Sequence, residues 1–240
     1  MTSRLVLVRH GESEGNVAAT RAERSGASLV GIATRDADTP LSARGEDQAR
    51  ALGDHLAGLP PEDAPEVVWC SPYVRARRTA ALALGSAGLD LPTVVDERLR
   101  DRELGVLDGL TSHGVAERFP DEAARRDHLG KMYYRPPGGE SWADVALRLR
   151  SVVGDLVRAE PDRRVLVVCH DAVIWLLRYV CEQMTEDRLM AEVDARSVRN
   201  ASVTVLVGGP RLWRAESVDD VAHLAGHDAA VTEHPGQGDD

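Results

Sequence analysis

The stretch RLVLVRHG, residues 4–11, constrains the fold more than any other part of the chain. Leu5, Val6, Leu7 and Val8 are apolar in succession, so a strand built from them has no polar face. Such a strand must be covered on both sides, which is the condition of parallel sheets flanked by helices. A second run, RRVLVVCH at 163–170, has the same form. Both runs end on an imidazole, His10 and His170, and ligands of open parallel sheets sit beyond the carboxyl ends of the strands.

Strand and helix signals alternate along the rest of the chain. EVVWC (66–70) and PTVVD (92–96) read as strands. SVTVLVGG (202–209) and RLWRAE (211–216) read as two more, joined by a Gly-Gly-Pro turn. LSARGEDQARALGDHL (41–56) has apolar residues at helical spacing behind Ser42, a plausible N-cap. SPYVRARRTAALAL (71–84) opens with Ser71 and Pro72, an N-cap and N1 pattern. SWADVALRLRSVVGDLVRAE (141–160) places Val145, Leu149, Val152, Val153 and Leu156 on one face, and Ser141 with Asp144 forms a capping-box pattern. DAVIWLLRYV (171–180) is apolar nearly all round and predicts a buried helix.

This alternation predicts a three-layer α/β/α sandwich around a mainly parallel sheet. Residues 17–39 and 103–140 interrupt it and are candidates for segments that cover a substrate, the second as a small helical cap. One domain is expected over residues 1–224. From 225 onward AGHDAAVTEHPGQGDD has no periodicity and predicts a disordered tail.

At 240 residues, 43% apolar and 28% charged, the chain has the composition of one globular α/β domain. A net charge of −10 gives no basic field for nucleic acid. A local cluster of arginines can still hold a small anion. Three cysteines, Cys70, Cys169 and Cys181, without regular spacing form neither a disulfide framework nor a zinc site. No stretch has the length of a membrane helix or the form of a signal peptide. A cytoplasmic protein with no membrane or nucleic-acid partner is expected.

The charged groups at strand ends and helix starts carry the chemistry. The first strand delivers Arg9 and His10, the helix after the second strand offers Arg75, and the VLVVCH strand delivers His170. Singly, a strand-end histidine is more often structural, and Arg75 would be a solvated helix charge. Together, two guanidiniums and two imidazoles make a phosphate pocket. Gly11 would let the backbone approach the anion. One imidazole nitrogen can attack phosphorus when a backbone carbonyl holds the other, while a second, protonated imidazole neutralises the transferring group. Arginines and histidine supply the positive charge, so no metal or other cofactor is expected.

In order along the chain, LVRHGESEGN, PLSARG, SPYVRARRTA, LRDRELGVLDG, PGGESW and VVCHDAV resemble the histidine phosphatase superfamily, also called phosphoglycerate mutase-like. The resemblance spans residues 4 to about 207. It implies that His10 becomes transiently phosphorylated, that Arg9, Arg75 and His170 clamp the phosphoryl group, and that Asn16 helps to hold it. The family's general acid aligns with Asp101, an aspartate where glutamate is usual. Glu103, two residues on and on the same side of an extended segment, is the alternative.

The middle of the chain, ERFPDEAARRDHLGKMYYRPPGGESWADVALRLRSVV, looks most like the bisphosphatase half of 6-phosphofructo-2-kinase/fructose-2,6-bisphosphatase. Arg135 matches a residue that there grips the second phosphate and the sugar. Gly138 stands where that enzyme has lysine, and Asp171 where it has glutamine, so the resemblance implies the reaction but not the doubly phosphorylated sugar. The expected function is metal-independent hydrolysis of a small phosphorylated metabolite. A phosphoglycerate mutase is the alternative, and a catalytically silent phospholigand- or protein-binding member is a further one. Oligomeric state is left open, a homodimer included. His55, His113, His128, His223, His227 and His234 are expected to be spectators, and Trp69, Trp142, Trp175 and Trp213 core residues.

Overall fold

The computed structural model describes residues 3–209, 212–225 and 229–234. Its elements in chain order are β1 (Ser3–Arg9), α1 (Glu14–Ser25), α2 (Ala43–Ala57), β2 (Val67–Cys70), α3 (Val74–Ala87), β3 (Thr93–Val95), α4 (Ser112–Arg118), α5 (Pro120–Tyr133) and α6 (Trp142–Ala159). They continue with β4 (Arg164–Cys169), α7 (Asp171–Cys181), α8 (Glu186–Ala195), β5 (Val203–Gly209), β6 (Leu212–Asp220) and the single turn α9 (Ala222–Ala225). The strands form one sheet in the order β3-β2-β4-β1-β5-β6. The first four run parallel, and β5 and β6 are antiparallel to their neighbours. Pro210 of the expected turn lies outside the described residues, as does His227.

Alternation along β1 explains the layers. Leu5 and Leu7 enter a core with Val165, Val167, the inner face of α6 and most of α7. Val6 and Val8 point the other way, into a core with Leu166, Val168, Leu52 and Leu56 of α2, and Ala76, Ala80 and Ala83 of α3. Each such Leu or Val contributes roughly 1.5–3 kcal/mol on burial, so a one-residue slip of β1 would exchange every contact on both faces. The three-layer α/β/α architecture is as the sequence predicts. Among the described residues no helix is long and apolar enough to cross a membrane.

Ser42 and Ser141 cap α2 and α6 as expected, Ser141 in a capping box with Asp144. Ser71 does not cap α3. That helix begins at Val74, behind Tyr73, with no side-chain cap, and Ser71 Oγ instead stands 2.8 Å from His170 Nε2. The cap segment holds α4, α5 and a small core of Leu107, Leu110 and Tyr134. It is stitched to the other insertion by Val30 N–H on the Gly109 carbonyl at 2.9 Å and by a bridge between Leu29 and Leu110.

Within the segment expected to be a disordered tail, residues 229–234 return to the body of the protein, and 226–228 and 235–240 lie outside the described residues. Thr232 and His234 are buried. Gln48 Nε2 donates to the Ala230 carbonyl at 2.8 Å and to Thr232 Oγ1 at 2.9 Å, and Thr232 Oγ1 donates to Asn200 Oδ1 at 3.1 Å.

Candidate active site

The parallel register of β1 and β4 pairs Arg9 with Cys169, so His10 and His170 leave the sheet side by side. Their rings are 5.2 Å apart, edge to face. Strand β2 pairs Cys70 with Val168, which brings Ser71, and then Arg75 on α3, to the same edge. Arg9, His10, Arg75 and His170 are 2%, 2%, 4% and 0% exposed.

His10 Nδ1 lies 2.7 Å from the Gly11 carbonyl. A carbonyl only accepts, so Nδ1 carries the proton and Nε2 the lone pair. Arg75 Nε, which only donates, lies 3.2 Å from that Nε2. Burial, then the charges of Arg75, His170 and Arg9, hold His10 well below the ordinary histidine range, against the pull of the Gly11 carbonyl. The ring is therefore neutral at physiological pH, with a nucleophilic nitrogen facing a guanidinium.

Asp101 Oδ2 sits between a guanidinium and an imidazole, 3.1 Å from Arg75 Nη2 and 3.3 Å from His170 Nδ1. Burial raises its proton affinity, but His170, Arg75 and His10 outweigh this and hold the carboxyl well below the usual range. Burial pushes His170 down, with Asp101 opposing. Arg9 is fixed by backbone carbonyls: its guanidinium donates to Val198 and, at 2.9 Å, to His234. Asn16 Oδ1 accepts from Ser13 N–H at 3.1 Å and Asn200 Nδ2 at 3.2 Å, which leaves its own Nδ2 as a donor for the pocket it lines. Asp171 lines the pocket too, 3.9 Å from Arg9, and its Oδ1 accepts from Val198 N–H at 3.1 Å.

Two expected residues have other work. Gly11 is outside the pocket lining. A Cβ there would meet the Gly45 carbonyl at 2.4 Å, so the start of α2, which passes against it, itself requires glycine at this position. Arg135 is also outside the lining. It makes a forked ion pair with Asp144 at the start of α6, with its side chain 62% exposed. Glu103 lines the rim with an exposed side chain.

Further residues, none of them among the expected site residues, complete the site. Asp36 makes a forked pair with Arg75 at 2.9 and 3.1 Å. Thr79 Oγ1 accepts from Gly11 N–H at 3.0 Å and donates to the Arg75 carbonyl at 2.8 Å. His234, expected to be a spectator, donates from Nε2 to Glu12 at 2.9 Å, and its Nδ1 bonds Thr20 Oγ1 at 2.5 Å.

The model of the histidine phosphatase superfamily (branch 1) matches residues 5–221. The chain belongs to that superfamily. The chain is 35% identical over 171 residues to a 6-phosphofructo-2-kinase/fructose-2,6-bisphosphatase of Caenorhabditis elegans, covering 71% of this chain and 32% of the relative. It thus spans about a third of the length of that bifunctional protein. It is 35% identical over 188 residues to a 2,3-bisphosphoglycerate-dependent phosphoglycerate mutase of Methylobacterium radiotolerans, covering 76% of this chain and 80% of the mutase. Among solved structures it resembles a mycobacterial glucosyl-3-phosphoglycerate phosphatase, with a TM-score of 0.73 and 29% identity over 92% of this chain and 100% of the other. Phosphatases and mutases thus share this fold with it.

Proposed function

We propose that the protein is a phosphomonoesterase that hydrolyses a small phosphorylated metabolite through a phosphohistidine on His10. The observation that carries this is the buried imidazole with Nδ1 held by the Gly11 carbonyl at 2.7 Å and Nε2 turned to Arg75. In the first step Nε2 attacks phosphorus, an N–P bond forms, the ester P–O bond breaks, and the leaving oxygen takes a proton from Asp101. In the second, water attacks phosphorus and gives a proton to Asp101. The N–P bond breaks, and neutral His10 and inorganic phosphate remain.

Arg9 and Arg75 offer the positive charge that the transferring phosphoryl group needs, and His170 adds to it when the bound phosphate dianion favours its protonated form. An ionised Asp101 in the empty site is compatible with acid catalysis. A phosphate dianion on Arg75 and beside His170 cancels the field that depresses the carboxyl, and its proton affinity returns. Asp101 is preferred to Glu103 because its oxygen touches both Arg75 and His170. Three buried free cysteines suit a reducing compartment, the cytoplasm.

His10→Ala should abolish hydrolysis of p-nitrophenyl phosphate, and ³²P from a phosphoester should be trapped on His10 in the wild type. Hydrolysis that survives His10→Ala, or that vanishes with EDTA, would refute the mechanism. The relation to a phosphoglycerate mutase supports a second reading, a mutase that returns the phosphoryl group to its bound intermediate. A coupled assay for conversion of 3- to 2-phosphoglycerate, with and without 2,3-bisphosphoglycerate, separates the two.

A further inference from the structure

The pocket changes sign between its floor and its rim. The floor holds Arg9, Arg75 and the two histidines. Its described lining as a whole has three guanidiniums, Arg9, Arg75 and Arg102, against five carboxylates, Asp36, Asp101, Glu103, Asp108 and Asp171. Two of the guanidiniums belong to the phosphoryl group. The third, Arg102, is the only Lys or Arg that the described rim contributes, and its Nε already donates to the Glu140 carbonyl at 2.8 Å. Arg135, the cation that would have gripped a second anion, is committed to Asp144 outside the pocket.

Resting on the phosphatase reading above, we propose that the substrate is a phosphomonoester whose alcohol half carries no negative charge and presents hydrogen-bond donors, hydroxyl or ammonium, to a carboxylate wall of Asp36, Glu103 and Asp108. Ionised carboxylates only accept hydrogen bonds, and they repel a second phosphate or a carboxylate brought against them. The crowding of negative charge is visible in the neighbours. Burial and the Asp36 charge push Asp108 up, and burial with Asp101, Asp36 and Glu103 pushes the Tyr73 phenol up. Asp36 has a second part. Its carboxylate holds the Arg75 fork and is 42% exposed, so a phosphoryl group that takes Arg75 displaces it, and it is then an acceptor beside the bound alcohol. Selection thus comes from a repulsive element as well as an attractive one.

The test is kcat/KM on matched pairs that differ mainly in the charge of the alcohol half. Glycerol 3-phosphate is set against 3-phosphoglycerate, and fructose 6-phosphate against fructose 1,6-bisphosphate, with p-nitrophenyl phosphate as the measure of the reaction itself. The member without the second anion should be favoured about tenfold or more in each pair. Asp36→Asn with Asp108→Asn should narrow both ratios. Phosphoethanolamine, whose primary ammonium donates hydrogen bonds, distinguishes the donors: an ammonium substrate loses its advantage as salt rises, and a hydroxylated one keeps it. Ratios of one or below, with p-nitrophenyl phosphate turned over, would overturn the carboxylate wall and leave the phosphatase reading intact. Absence of turnover on every phosphoester would sink that reading, and the wall with it.

Discussion

Arg9, His10, Arg75 and His170 are almost fully buried and stand at the ends of β1 and β4 and on the first turn of α3. Asp36, Glu103 and Asp108 stand on the two insertions, outside the sheet, with exposed or half-exposed side chains. The floor is held by the packing of the whole domain and by the backbone carbonyls of Gly11, Val198 and His234. The rim is held by a few bonds between the insertions. A reaction that needs atoms within fractions of an ångström belongs on the first, and selection of the alcohol half can vary on the second without disturbing it.

The largest expected contrast is between Arg75→Ala and a rim substitution. In the proposed mechanism Arg75 meets the phosphoryl group, and removing such a preorganised donor costs about 10² to 10³ in rate. Kinetics on p-nitrophenyl phosphate should show a fall of that order in kcat for Arg75→Ala and well under tenfold for Asp108→Asn. Equal losses would mean that floor and rim act as one unit.

Next is the general acid. Asp101→Asn should slow alkyl phosphates by about 10² to 10⁴ and p-nitrophenyl phosphate far less, because an acid helps in proportion to the charge that develops on the leaving oxygen. Glu103→Gln should be mild on both. The reverse pattern would move the acid from the floor to the rim.

The sequence made the floor legible and the rim mostly not. A strand apolar on both faces, an abrupt His-Gly end and a Ser N-cap are local signals, and β1, β4, α2 and α6 follow them. Ser71 had the form of a cap but serves His170, a contact 99 residues away. Asp36 is one more acidic residue in a polar stretch until α3 brings Arg75 to it, 39 residues on. Arg135 matched a relative's phosphate ligand by position, and its contact with Asp144, nine residues on, was not visible in that match. Residues 229–234 carry no sequence signal for a different reason. Their burial rests largely on hydrogen bonds of Thr232 and His234, which leave no apolar period to read.

That C-terminal strap offers a smaller effect. It supplies the His234 carbonyl to Arg9, and a hydrogen bond to a charged group contributes about 1.5–3 kcal/mol. Truncation after Ala225 should therefore lower kcat/KM roughly ten- to a hundredfold, while His234→Ala, which keeps the carbonyl, should cost less. A truncated enzyme with wild-type kinetics and an unchanged Tm would show that Val198 alone fixes Arg9.

The smallest effect is on the pH axis, and it isolates the floor from the rim without any assay of turnover. A free imidazole titrates near 6.5, and burial with three neighbouring positive groups puts His10 well below that. Its ¹⁵N resonances should report a neutral ring with the proton on Nδ1 from pH 8 down through about 6.5, with protonation only at lower pH. Over that lower range the unfolded chain binds a proton that the folded chain does not. Stability from this group is therefore full above about pH 6.5 and is lost as pH falls toward the lowered value. The loss approaches about 1.4 kcal/mol per pH unit. Arg75→Ala removes the first-named of those charges and should move the His10 midpoint up, toward the ordinary value. Asp36→Asn, which leaves Arg75 in place and takes away a negative charge, should move it slightly down. A wild-type midpoint at or above 6.5, or a rise with Asp36→Asn, would mean that His10 responds to the rim's carboxylates rather than to the cations of its own floor.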